Sequence, residues 1–440
     1  MYILKHRNGW IMGAQWNKGA DPALARTYGS VGMVANIGVD AQVVRNDFDG
    51  APFFREMIDA EDTLGNKFVR IPKIYIKKVD EESNKEWLIS NRQYDGFYLP
   101  QNYWDFTNNR DLLFFDFGKY QASKAATKLQ SVAGAYPLMN DTIVNFRTFA
   151  QNNNVGGLLG YQQLDIHAID LLETLFYVEF ATLNSQSIML GYTNGQYSAS
   201  HVATVAENAV NRIIIANAYA ALFKVGQAIS IGTSLGGNQI CYNRTITAVD
   251  AYDAGNKAIS FDGAAVNIAL GNIVYNSGRK SGACDAVVAS SGALTANDGY
   301  YPCKYRGIEN PFGNMWQWVD GVNITDRRAW ICKNPANYAS NVFASPYEQL
   351  SYVNAASDGY PTAMGYDTNY PFAQLPSVIG GDLSHYYSDY YYQTTGQRVA
   401  RFGGSWGFGS AAGLSYWFLA FGSSSAAVAI GGRLCRKGLQ

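Results

Sequence analysis

Two stretches decide the fold. The first is Tyr305-Arg306-Gly307-Ile308-Glu309-Asn310-Pro311-Phe312-Gly313-Asn314-Met315-Trp316-Gln317-Trp318-Val319-Asp320-Gly321. The second runs from Arg401-Phe402-Gly403-Gly404-Ser405-Trp406 to Gly431-Gly432-Arg433-Leu434-Cys435-Arg436. Trp316 and Trp318 are two positions apart, so on a strand they face the same side. Gly313 and Asn314 suit a tight turn just ahead of them. The first stretch therefore reads as a core strand entered through a fixed loop. The paired glycines at both ends of the second allow close backbone approach or positive φ.

Outward from these segments, the chain divides by its hydrophobic period. Residues 1–110 read as β-rich. Phe68 to Lys77 alternates apolar and polar residues, and Pro72 places that strand at an edge or a bulge. Trp87-Leu88-Ile89-Ser90 supplies a partner strand across the acidic turn Asp80-Glu81-Glu82-Ser83-Asn84. Between 111 and 223 the period becomes helical. A short helix capped by Asp141 runs through Ile143, Phe146 and Phe149. A clearer one begins near Asp165, with Leu164, Ala168, Leu171, Leu172, Leu175, Phe176 and Val178 on one repeating pattern. A third helix is expected over Ala203 to Phe223, buried from Ile213 onward. Residues 224–290 return to alternating strands, separated by the turns Asp253-Ala254-Gly255-Asn256 and Asp262-Gly263, and read as a small inserted β-domain. Residues 291–440 are rich in Gly, Ser and Tyr and show few helix signals.

The chain has 440 residues, enough at ~150 per domain for about three units or one large domain with insertions. Lys plus Arg is 34 against 35 Asp plus Glu, which argues against nucleic acid or an anionic membrane surface as partner. Hydrophobic residues make up 48%, so there is material for a large core. Charged residues are only 16%, and with 44 Gly and 31 Tyr the composition resembles that of binding loops. The apolar part of Met1 to Trp10 is too short for a signal peptide. No apolar run reaches ~18 residues, so membrane insertion is not expected. The five cysteines, Cys241, Cys284, Cys303, Cys332 and Cys435, are odd in number and lack CxxC spacing, which predicts reduced structural thiols and synthesis in a cytoplasm.

Catalytic patterns are weak. His6, His167, His201 and His385 form no HExxH or HxH pair and read as structural. There is no GxSxG, phosphate-binding loop or dinucleotide fingerprint in a strand-turn-helix context. Asp170, Glu173 and Glu179 share a helix, where carboxylates are usually solvated or held in a local hydrogen-bond network. No cofactor is expected. Asp320, Glu309, Asp382 and Asp389 carry the oxygen ligands that Ca²⁺ takes, but without EF-hand spacing, so a structural calcium ion stays open.

The first stretch resembles the "N-x-x-GN-x-W-E-W" signature of the formylglycine-generating-enzyme branch of the C-type lectin fold, and the second resembles that branch's closing "R-GGSW…GxR" segment. Leu175 to Tyr192, with Glu179 and Gln186, is similar to the family's helix in the same chain order. The resemblance covers about residues 65–100, 160–195 and 295–440. It implies an α+β protein with a C-type lectin fold: an N-terminal β-rich part (1–110), a helical segment (111–223), an inserted β-domain (224–290) and a C-terminal half carrying the ligand face (291–440). The enzymes of this branch use two cysteines in the closing segment to bind copper and oxidise a substrate cysteine. Here no cysteine lies between Ser405 and Leu434, Cys435 is single, and Gln317 stands where Glu is usual. A lone thiol cannot perform two-thiol chemistry, so the expectation is a non-enzyme.

The same segment is more similar to the variable proteins of diversity-generating retroelements, the group that includes the phage major tropism determinant. In that group, adenines of mostly Asn codons are rewritten, which can give Gly, Phe, Ala, Ser, Val or Tyr, and cannot give Lys, Glu, Gln, Met or Trp. Residues 407–429 contain no charge and no Asn. The resemblance implies a variable, ligand-binding set of Gly407, Phe408, Ala411, Ser415, Tyr416, Phe418, Ala420, Phe421, Gly422, Ala426, Val428 and Ala429. These are interleaved with fixed Gly409, Ser410, Gly413, Leu414, Trp417, Leu419 and Ile430. Trp316, Trp318, Trp406, Leu414, Trp417, Ile430 and Leu434 would then form the core, while Phe408, Phe418 and Phe421 are expected to be exposed anchors. Ser384 to Gln393, with five tyrosines, would frame the face. The implied partner is a bacterial surface protein or glycan, met from a virion tail tip or fibre by a homo-oligomer, a trimer in the resembling group. Alternatives are a bacterial cell-surface or cytoplasmic location, a formylglycine-generating-type oxidase, and a structural virion or cell-surface component.

Overall fold

A computed structural model describes residues 10–439. Strands take 37% of the chain and helices 12%, an α+β, β-rich architecture. The elements that position the candidate face are, in chain order, β1 (Lys67–Pro72), β2 (Phe114–Gly118), α1 (Ile143–Gln151), β3 (Tyr161–Gln163), α2 (Ile166–Phe180), β4 (Trp316–Thr325), β5 (Tyr391–Gln393), β6 (Gln397–Phe402), β7 (Trp417–Phe421) and β8 (Leu434–Lys437).

The expected core strand is β4, buried over nine of its ten residues. It lies within a seven-stranded sheet, where β6 pairs antiparallel with β4, β7 antiparallel with β6, and β5 parallel with β7. Gly313 and Asn314 take positive φ (70° and 56°), so the sharp entry turn falls where the sequence placed it. One face of the sheet is covered by α2, whose sequence is apolar around its circumference and whose 15 residues are all buried. Asp165 caps α2 by accepting from the Ala168 N–H at 2.8 Å. Its carboxylates are internal: Asp170 meets Lys78 and the Tyr98 hydroxyl, and Glu179 meets Arg306 and Asn46. The opposite face is covered near Trp316 and Trp318 by α1. The cap of α1 is Thr142, which accepts from the Asn145 N–H at 3.2 Å, not Asp141, which instead accepts from the Thr142 N–H.

The signature segments meet at Arg433. This fully buried guanidinium donates to Gln317 Oε1 and Gly118 O at 2.8 Å, and to Glu309 O and Asn310 O at 2.8 and 2.7 Å. One side chain near the C-terminus thus supplies donors to carbonyls of the loop before β4 and to the end of β2. From the next residue, β8 joins a second, five-stranded sheet between β2 and β3, which continues to β1.

In the N-terminal part the alternating run of Phe68 to Lys77 splits at Pro72 into β1 and a strand Tyr75–Asp80. The second strand pairs antiparallel with Lys85–Ser90 across the acidic turn, as expected. The third helix is not there. Arg212–Ala216 is a strand and only Asn217–Ala220 makes a helical turn. The β-branched run Ile213-Ile214-Ile215 favours extended backbone, and it pairs with Lys257 to Ile259 as the edge of a five-stranded sheet. That sheet has its own core of Ile213, Ile215, Ile229, Ile231, Ile259 and Val274. The β-insertion therefore draws in residues before 224, and 111–223 is helical only in part.

Candidate ligand-binding face

The register of four neighbouring strands builds the candidate face. Trp318 lies opposite Arg401, Arg401 opposite Phe418, and Phe418 opposite Tyr392, so these four form one row across β4, β6, β7 and β5. Directly opposed residues share a face of a sheet. The adjacent row is Gln317, Phe402, Trp417 and Tyr391, on the face that α2 covers, and all four are buried. A shift of one residue along β7 thus separates a sealed tryptophan from a half-buried phenylalanine.

On the outer side the aromatic rings pack together, edge to face except for the tilted pair Tyr392 and Phe418. Phe408 lies 5.1 Å from Trp316 between centroids, Phe418 lies 5.5 Å from Trp316 and 5.4 Å from Phe421, and Tyr392 lies 4.8 Å from Phe418. Arg401 is only 5% exposed. Its guanidinium carbon sits 3.7 Å from the Phe418 centroid, 4.0 Å from that of Phe421 and 4.5 Å from that of Trp316. Burial pushes its pKa down to about 9, a measure of how much hydration the charge has lost.

The twelve candidate positions fall into three groups. Gly407 and Ala426 are exposed. Phe408, Ala411, Phe418, Ala420, Phe421, Gly422 and Ala429 are half-buried. The three phenylalanines are therefore not the free-standing anchors expected, because Trp316 and Arg401 fill the space beneath them. Ser415, Tyr416 and Val428 are buried, against expectation. Ser415 gives its N–H and hydroxyl to Asp389 at 2.8 and 2.9 Å. Tyr416 is wedged 4.6 Å from Trp316. Val428 lies in a turn tied on both sides, by the Asn140 N–H to Ala427 O and the Trp316 N–H to Ala429 O. Of the residues read as fixed, Gly413, Leu414, Trp417, Leu419 and Ile430 are buried, Gly409 is half-buried and Ser410 is exposed. All seven expected core residues are buried at 1% exposure or less.

The loop before β7 is held from below. Gly404, at φ +77°, lies so close to Ala412 that a Cβ there would come within 2.6 Å of the alanine methyl. Gln186, in the helix-like segment singled out from the sequence, donates to Gly409 O at 2.8 Å and to Ala412 O. Asp389 is sealed, with one carboxylate oxygen on Ser415 and the other without a partner, and burial pushes its pKa up to about 7. Tyr387 and Tyr391 point into the core while Tyr386, Tyr390 and Tyr392 are half-buried, the split expected of the framing segment.

The four carboxylates considered for calcium do not converge. Asp320 pairs with Arg147, Glu309 accepts from the Gly282 and Cys284 N–H groups, Asp382 meets His385, and Asp389 holds Ser415. Among the described residues no three His, Cys, Asp or Glu side chains form a metal-binding group. All five cysteines are buried and unpaired, and burial pushes the Cys435 thiol up to about 12. Of the histidines, His167 packs against Phe372 in the core, His201 is buried and His385 is exposed, while His6 lies outside the described residues. No described helix is long and apolar enough to cross a membrane.

Comparison with protein-family models finds no match, and comparison with curated proteins finds none either. Two residues important to the face were not singled out in the sequence for what they do here. Arg401 gains its place only from the register of three strands. Asp389, a candidate oxygen ligand by residue type, holds a loop through Ser415.

Proposed function

We propose that this chain is a non-enzymatic ligand-binding protein with a C-type lectin fold of the formylglycine-generating-enzyme branch, and that residues 407–429 form a diversified binding face. In this reading it is a receptor-binding protein of a phage, displayed on the virion as a homo-oligomer, and it engages a bacterial surface protein or glycan. The observation that carries the proposal is the split between sealed positions and those on the outer side of β7 and in the exposed turns. Trp417, Leu419 and Phe402 maintain the core, while Gly407, Phe418, Ala420, Phe421 and Ala426, all of kinds a rewritten Asn codon can encode, border solvent. A surface that changes side chains without losing its fold needs this separation. The oxidase alternative is disfavoured by its thiols: Cys435 is sealed and held in its protonated form, and the thiolate is the reactive species.

The test is the Phe408→Ala, Phe418→Ala, Phe421→Ala triple variant, assayed for capture of bacterial envelope fractions and for thermal unfolding. Capture is expected to fall more than ten-fold. Each half-buried ring is expected to contribute about 1 kcal/mol of stability, below the ~3–5 kcal/mol of a sealed aromatic. Unchanged capture would contradict the reading. A change of oligomeric state with no change in capture would favour a structural assembly role instead.

A further inference from the structure

The cation beneath the face has no counter-ion. Among the described residues no carboxylate lies within ion-pair distance of Arg401, its side chain makes no hydrogen bond, and its Nε is sealed without a partner. The contrast with other buried arginines is direct: Arg147 holds Asp320, Arg306 holds Glu179 and Asp49, and Arg433 donates to five oxygens. An unpaired buried charge is costly, and an apolar side chain would fill the same space without that cost. Three rings pack around the guanidinium, but they satisfy none of its five N–H groups, which lie in its plane. That edge is what a carboxylate binds, two oxygens on two N–H groups.

The surroundings bear on what carries the carboxylate. Tyr392, Phe418 and Phe421 are half-buried; Arg401 lies over Phe418 and Phe421 and Tyr392 packs on Phe418, so what this cluster offers a pyranose is its apolar outer rim, which suits the C–H face of a sugar. The rim is hydroxyl and amide: Ser423, to which Asn341 donates at 2.9 Å, and Thr394, whose hydroxyl donates to Ala420 O. No acidic side chain competes for the cation. We propose that Arg401 is a fixed anion anchor within the changeable face, and that it takes the carboxylate of an acidic saccharide whose ring packs against the outer rim of Phe418 and Phe421. Specificity is then layered: the scaffold selects an acidic sugar, and the surrounding variable side chains select its context. This rests on the binding-face reading above.

The experiment titrates the full chain with tetragalacturonate and, in parallel, with maltotetraose and an aspartate-rich peptide, following heat of binding and the Arg401 Nε–Hε resonance. Tetragalacturonate should bind at least ten-fold more tightly than maltotetraose, shift the Arg401 signal, and lose at least ten-fold in affinity in Arg401→Gln, with Arg401→Lys intermediate. Equal binding of the acidic and neutral sugars, or an Arg401 signal that does not move, overturns the proposal without recourse to any variant. Binding of the acidic peptide in place of the sugar overturns the saccharide assignment. If envelope capture depends on Phe418 and Phe421 while tetragalacturonate does not bind, this inference fails and the binding-face reading stands.

Discussion

Residues 412–416 and 417–421 adjoin in the chain and belong to one candidate face, yet they obey different rules. In the second segment burial alternates over the first four residues, with Trp417 and Leu419 sealed and Phe418 and Ala420 half-buried, and Phe421, beyond a register shift against β6, is half-buried as well. In the first every residue is buried, whether its side chain is Ala, Gly, Leu, Ser or Tyr. A strand has a two-residue period, so its sequence states which side chains face out. A loop has no period, and its side chains go where local hydrogen bonds and close packing send them. Here Asp389 draws Ser415 in and Trp316 draws Tyr416 in. Exposure to solvent is therefore a property of the strand's outer row and of the turns, while the loop joining them belongs to the core.

The largest expected effect separates the two segments at adjacent aromatic positions. Tyr416→Ala should cost about 3–5 kcal/mol, as for a sealed aromatic, and Phe418→Ala about 1 kcal/mol, measured by chemical denaturation. Equal losses would erase the distinction.

Next is the acid beneath the loop. The pKa of Asp389 is raised by burial to about 7, so the folded state holds a proton that the unfolded chain has already released above pH ~4. Stability from this group is therefore greatest near pH 4 and falls as pH rises through 7, by up to a few kcal/mol. Asp389→Asn, with an amide oxygen still able to accept from Ser415, should flatten that part of the profile when denaturation midpoints are compared at pH 5 and pH 8. An unchanged pH dependence would place the titration elsewhere.

The smallest effect is expected at the exposed turns. Gly407→Ser and Ala426→Tyr should leave stability within about 0.5 kcal/mol of the parent, because neither position is packed. A loss above 1 kcal/mol would show that the turns, like the loop, serve the fold.

Much of this was legible in the sequence where a period or a cap enforced it. The strand through Trp316 and Trp318 and the helix from Asp165 are local consequences of residue type, whereas the run Phe68 to Lys77, expected as one strand with Pro72 at an edge or bulge, ends at Pro72 inside one sheet and resumes at Tyr75 in another. The helix expected over Ala203 to Phe223 failed because an apolar run without clear period fits either backbone, and its β-branched isoleucines found partner strands. Of the positions expected to face outward, Phe418, Ala420 and Phe421 on β7 are half-buried, while Ser415, Tyr416 and Val428 are buried, and that burial depends on residues distant in sequence: Asp389, Trp316 and Asn140. Arg401 was invisible for the same reason, since its aromatic neighbours come from two other strands.

The most direct measurement is saturation mutagenesis of residues 407–429, sorted for folded protein and read out by position. Gly407, Phe418, Ala420, Phe421 and Ala426 are expected to accept most side chains, with Ser415, Tyr416, Trp417, Leu419 and Val428 nearly invariant. Uniform tolerance along the segment, or intolerance at Phe418, Ala420 and Phe421 equal to that at Trp417 and Leu419, would contradict the account.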